Sequence, residues 1–158
     1  MQSRRTFISG LAVGFVANIG RLHAQEAWTH YQNERFGTAV DYQEFFEAGD
    51  PPANGDGLTF TSPEASFRVF GRLNLGGETP GSVLAATLAD GDHAKVTYKN
   101  ILGNRLTLSG IRGPMTYYEI YQFGPSGTVH SLVLEYPSRY QSAYDTMVAR
   151  MAKSFSGP

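Results

Sequence analysis

Between Lys95 and Tyr136 the chain leaves room for little except one antiparallel ribbon. Four segments rich in β-branched and aromatic residues, Lys95–Leu102, Arg105–Ile111, Met115–Phe123 and Thr128–Tyr136, are parted only by Gly103-Asn104, Arg112-Gly113-Pro114 and Gly124-Pro125-Ser126-Gly127. Connections this short cannot carry a crossover, so consecutive segments pair antiparallel. Glycine in the first position of Gly103-Asn104 suits a type II′ hairpin turn. A two-residue turn there predicts the register: Leu102 faces Arg105, Ile101 faces Leu106, Lys99 faces Leu108, Thr97 faces Gly110 and Lys95 faces Arg112. Strict alternation puts the last four pairs on one face. Lys95 and Arg112 are then like charges in direct opposition, which is unfavourable unless an acid, water or a bound anion lies between them. With Gly113-Pro114 equally tight, Glu119 stands across Leu108 from Lys99, flanked by Tyr117 and Tyr121.

A ribbon of this kind needs a layer to cover its apolar face. Pro137-Ser138 ends it, and Ser138 is expected to cap the last helix. There Tyr140, Tyr144, Met147, Val148, Met151 and Phe155 recur at helical spacing on one face, so that face must pack on something. Upstream, Thr79-Pro80 reads as an N-cap and first helical residue, with Val83, Leu84, Thr87 and Leu88 as the apolar set and a stop near Gly91. Trp28–Tyr31 and Thr38–Tyr42 read as short strands around Asn33-Glu34-Arg35, and Leu58–Ser62 with Ser66–Leu73 as a hairpin across Pro63-Glu64. The expected fold class is α+β, a single domain over residues 25–158. Its centre is an antiparallel sheet of about six to eight strands, with a mid-chain helix and a C-terminal amphipathic helix packed on it.

Residues 1–24 read as an address rather than as structure. They hold Arg4, Arg5 and Arg21 and no acid, and the apolar run Phe7–Ile19 is too short to span a bilayer but suits a signal-peptide core. Ser3-Arg4-Arg5-Thr6-Phe7-Ile8 closely resembles the twin-arginine export signal. Cleavage is expected after Ala24, with Leu22 departing from the small-x-small rule, and the mature chain is expected in the periplasm. An uncleaved anchor helix is the alternative. The full chain carries 13 basic and 14 acidic residues, a balance that argues against a dedicated nucleic-acid binder. The absence of cysteine excludes disulfides, thiolate metal sites and thiol nucleophiles. No nucleotide loop or cysteine cluster points to a cofactor, and none is expected.

The pattern Trp28-x-x-Tyr31-x-Asn33-x-Arg35-Phe36-Gly37, then Asn54-Gly55-Asp56-Gly57, Leu108-Ser109-Gly110, Tyr136-Pro137, Tyr144-Asp145 and Met151-Ala152-x-Ser154-Phe155 resembles a family of uncharacterised exported proteins of alphaproteobacteria. The order of elements is similar to the PsbP/Mog1-like fold. The likeness covers nearly all of residues 28–155 and brings no catalytic residues with it. It implies a sheet clasped by helices and, by analogy with such folds, an assembly or binding role.

The candidate chemistry is sparse. No Gly-x-Ser-x-Gly elbow occurs, and Ser126 sits in turn-forming residues. Asp90-Gly91-Asp92-His93 offers fewer ligands than a metal needs, and Asn54-Gly55-Asp56-Gly57 lacks the later acids of a calcium loop. The site the register assembles is Lys95, Lys99, Arg112, Tyr117 and Glu119, a small-anion or polar-ligand end of the sheet, set against the plainer reading of a solvated rim neutralised by Glu119. The expected function is an exported, non-catalytic binding or accessory module contacting another periplasmic protein. The alternatives are an anion or polar-ligand binder on those five residues, and a small hydrolase using His93 or His130.

Overall fold

The computed structural model describes residues 27–93 and 95–158, without the His93 side chain. The expected signal peptide and the expected cut after Ala24 lie outside the described residues. Strands β1 (Trp28–Gln32) and β2 (Ala39–Gln43) pair with each other as a separate two-stranded sheet. The remaining strands are β3 (Glu47–Ala48), β4 (Gly57–Thr61), β5 (Ser66–Leu73), β6 (Lys95–Leu102), β7 (Arg105–Arg112), β8 (Met115–Phe123) and β9 (Thr128–Pro137). They form one antiparallel sheet of seven in the order β3-β4-β5-β9-β8-β7-β6. Helix α1 (Pro80–Ala89) connects β5 to the far edge strand β6, and α2 (Gln141–Ser154) follows β9. The α+β class, the meander over 95–136 and both helices are as expected. The placement of β1 and β2 in their own layer and the two-residue β3 are additions.

The turns act as their residues dictate. Gly103 and Gly113 have φ of 59° and 56°, the left-handed first position of tight hairpin turns. Register runs as expected from Leu102↔Arg105 through Lys99↔Leu108, and Leu108 faces Glu119. It then departs. A bulge at Thr97 leaves Val96 opposite Gly110 and Lys95 opposite Ile111, so the predicted opposition of Lys95 to Arg112 does not occur. One extra residue shifts everything beyond it to the other face, which separates the two like charges.

On one face of the sheet lies the main core. Phe60 and Phe67 stack with centroids 4.5 Å apart, Phe46 meets Phe67 edge-on at 5.0 Å, and Tyr42 tilts over both. Each such ring contributes about 1.5–3 kcal/mol by leaving water. Met147, Val148 and Met151 of α2 and the following Phe155 are buried against this layer, and Tyr144 stacks on Tyr136 at 4.7 Å. Tyr140 stands apart from them, in a short 3₁₀ turn under the Arg139 guanidinium. Ser138 does not cap α2. Its hydroxyl accepts from Thr116 Oγ1 at 2.9 Å, and α2 begins three residues later with no side-chain cap. At the start of α1, Thr79 and Ser82 cap each other's backbone N–H groups reciprocally, at 2.9 and 3.1 Å. Within α1 only Thr87 is buried, and Leu88 stays half-exposed; the helix meets the sheet at β6 and β7.

Candidate functional site

Arg112, Tyr117 and Glu119 converge on the sheet face turned away from α2. Tyr117 lies across from Gly110 and is fully buried over it. A β-carbon on Gly110 would sit 2.5 Å from Tyr117 Cζ, and closer still to the phenol oxygen and the Lys95 carbonyl oxygen. The Arg112 guanidinium lies 5.1 Å from the Tyr117 ring centroid, ion-pairs with Glu135, stands 3.9 Å from Glu119 and donates from Nε to the Asp92 carbonyl at 3.0 Å. Glu119 is 3% exposed and accepts a hydrogen bond from the Tyr121 hydroxyl at 2.9 Å.

Three of the five predicted site residues are thus brought together, joined by Tyr121 and Glu135. Lys99 shares their face but stands exposed on β6, and the bulge carries Lys95 away. Glu135 was not among the sequence candidates, because the longer Gly124–Gly127 turn fixes no register across β8 and β9 in the way a two-residue turn does. Two carboxylates answer the Arg112 charge, so the cluster acts as an internal brace between three strands.

Burial pushes the phenols of Tyr42, Tyr117, Tyr118, Tyr121, Tyr136 and Tyr144 upward. The nearby Glu119 carboxylate adds to the rise at Tyr117 and Tyr121. A phenol whose pKa is higher folded than unfolded favours the fold fully below its unfolded value near 10 and loses that contribution as pH rises through the folded value. Stability should therefore fall above pH ~10 by up to about 1.4 kcal/mol per pH unit for each such phenol. Absorbance at 295 nm followed together with ellipticity tests this. The six tyrosinates should appear with unfolding, and their appearance near pH 10 in a still-folded chain would contradict the packing.

The other candidates fall apart or close on themselves. His130 is fully buried, its Nδ1 sharing a hydrogen bond with Thr38 Oγ1 (2.8 Å) and its Nε2 with the Pro158 main-chain oxygen (2.9 Å). Gly157 lies directly on its ring, where a β-carbon would overlap the imidazole. Ser156 exchanges two main-chain hydrogen bonds with Ala39 and holds this tail in place. His30 pairs with Asp41 at 2.7 Å on the surface, and the His93 side chain lies outside the described residues. Ser126 Oγ meets Thr128 Oγ1 at 3.3 Å. Asp90 accepts from the Asp92 N–H at 3.0 Å, and Asn54 donates to Asp56 at 2.8 Å. Arg35 and Asn33 tie that second loop to the β1–β2 turn through the carbonyls of Asn54 and Gly55. Beside it open grooves of about 540 Å³, lined by Tyr31, Arg35, Pro51 and Leu58, and about 330 Å³, lined by Asp50, Asp56, Arg68 and Phe70.

A seven-stranded antiparallel sheet with two helices, one of them C-terminal, is consistent with the PsbP/Mog1-like fold. The solution structure of the cyanobacterial PsbP protein CyanoP from Synechocystis superposes with a TM-score of 0.61 at 12% identity, covering 92% of this chain and 99% of that one. The crystal structure of the Saccharomyces cerevisiae Ran-binding protein Mog1p superposes with a TM-score of 0.56 at 7% identity, covering 83% and 95%. At these identities the likeness is one of fold. No family model matches the chain, and no curated protein matches its sequence.

Proposed function

We propose that this chain is an exported, non-catalytic binding or accessory module whose partner is another periplasmic protein. The observation that carries the reading is where polar and apolar groups are spent. His130 and Glu119 are buried and hydrogen-bonded inside the fold, whereas Leu88, Tyr98, Ile101 and Leu102 put hydrocarbon on the surface along α1 and β6. Uncommitted apolar surface suits association with another protein. One of the structural neighbours, Mog1p, is a Ran-binding protein, and this supports the class of role. Among the described residues no helix is long and apolar enough to cross a membrane. The anion-binding reading would use Lys95, Lys99, Arg112, Tyr117 and Glu119, and it is weakened by the carboxylates already beside Arg112.

Export is tested by replacing Arg4 and Arg5 together with lysine, which should hold the protein in the cytoplasm. Unchanged export would point to the general secretory route instead. For the role, the tagged exported chain should retain one partner at fixed stoichiometry, equally in wild type and His130→Gln. Turnover of ester or amide substrates that vanishes in His130→Gln would favour the hydrolase.

A further inference from the structure

The two edges of the large sheet are treated differently. At one edge β3 is two residues long and includes Glu47, a length that offers a partner strand almost nothing to pair with. At the other edge β6 runs for eight residues, seven of them exposed, and among the described residues no strand pairs with its outer side. Alternate N–H and C=O groups of such a strand face outward unpaired. The Thr97 bulge interrupts the edge near its start and leaves Tyr98–Leu102 in regular register with β7. That stretch exposes Tyr98 (50%), Ile101 (43%) and Leu102 (75%).

Charge decides what can pair there. The strand carries Lys95 and Lys99 and no acid, and among the described residues neither lysine has a carboxylate at salt-bridge distance. Against a second copy of itself no register brings an acid opposite a lysine, and overlapping registers crowd four lysines along one seam, which is unfavourable. The bulge and the lysines therefore disfavour self-association while complementing a strand of opposite sign.

We propose that the Tyr98–Leu102 half of β6 is a docking edge that accepts an extended acidic segment of the partner protein by strand addition. Main-chain hydrogen bonds to β6 supply affinity, apolar side chains on one face of the segment cover Tyr98 and Leu102, and carboxylates on its other face meet Lys99, with Lys95 adding charge of the same sign beyond the bulge. The inference rests on the binding-module reading and deepens it.

The test places a photoreactive phenylalanine analogue at Asn100, exposed on this edge, or at Phe45, half-exposed elsewhere, in the full exported chain. Irradiation in cells is followed by mass spectrometry of the adduct. The expected result is capture through Asn100 of a segment of another protein in which acids alternate with apolar residues. The adduct should fall about tenfold when Lys95→Glu and Lys99→Glu are combined, with the thermal midpoint unchanged because both side chains are exposed. An adduct with a second copy, a captured segment without acids, or a yield indifferent to the charge reversal overturns the proposal. Capture through Phe45 alone overturns the edge and leaves the binding module standing. Capture through neither, with no partner retained by the tagged chain, overturns both.

Discussion

Gly110→Ala should lower the thermal midpoint by about 6–12 °C. The new methyl would collide with the Tyr117 phenol and the Lys95 carbonyl together. The ring cannot swing away, because Tyr117 is fully buried with the Arg112 guanidinium packed over it. The carbonyl belongs to the edge strand at the bulge, so relief there means moving backbone. Overpacking of this kind costs about 1–3 kcal/mol, and the backbone clash puts it at the upper end. A chain of this size loses about 2–4 °C for each kcal/mol. Adding Tyr117→Leu should recover part of the loss and no more, since the carbonyl overlap remains. Thermal unfolding followed by circular dichroism measures both, and a Gly110→Ala protein as stable as wild type would refute the Tyr117 placement.

Arg112→Ala should cost about 2–3 kcal/mol. Removing one partner of a buried ion pair is expensive because the other keeps its desolvated charge, about 3–5 kcal/mol where both are sealed. Here the Glu119 side chain is 4% exposed but that of Arg112 is 35%, and they stand 3.9 Å apart, so the lower figure applies. The same change strips the cation from the Tyr117 ring and from Glu135. Glu119→Gln should cost about 1 kcal/mol, because the amide oxygen can still accept from Tyr121. Combined, the two changes should cost about 1 kcal/mol less than the sum of the singles, the mark of groups that interact directly. Urea titration of the four proteins measures the cycle, and an Arg112→Ala protein within about 0.5 kcal/mol of wild type would remove the brace from the account.

Much of this architecture is legible from short-range chemistry. Gly103-Asn104 and Gly113-Pro114 impose hairpins because few residues reach positive φ without strain. Thr79-Pro80 starts a helix because a hydroxyl and a missing N–H suit its first turn. The spacing of Met147, Val148, Met151 and Phe155 declares a face that has to be buried. The brace was partly legible for the same reason, since two tight turns carry Lys99, Leu108 and Glu119 into one row.

What local rules leave open are choices made between distant segments. The Thr97 bulge turns Lys95 away from Arg112, and no local residue announces it. Ser138 gives its hydroxyl to Thr116 across the sheet rather than to the helix beside it. The pairing of β5 with β9, the separate β1–β2 layer and the burial of His130 beneath Gly157 depend on segments that meet only after collapse. Turns and caps are decided by the conformational limits of neighbouring residues and so can be read along the chain. Bulges, layer assignment and the partners of buried polar groups are decided by how whole surfaces pack together, and that information exists only in the assembled molecule.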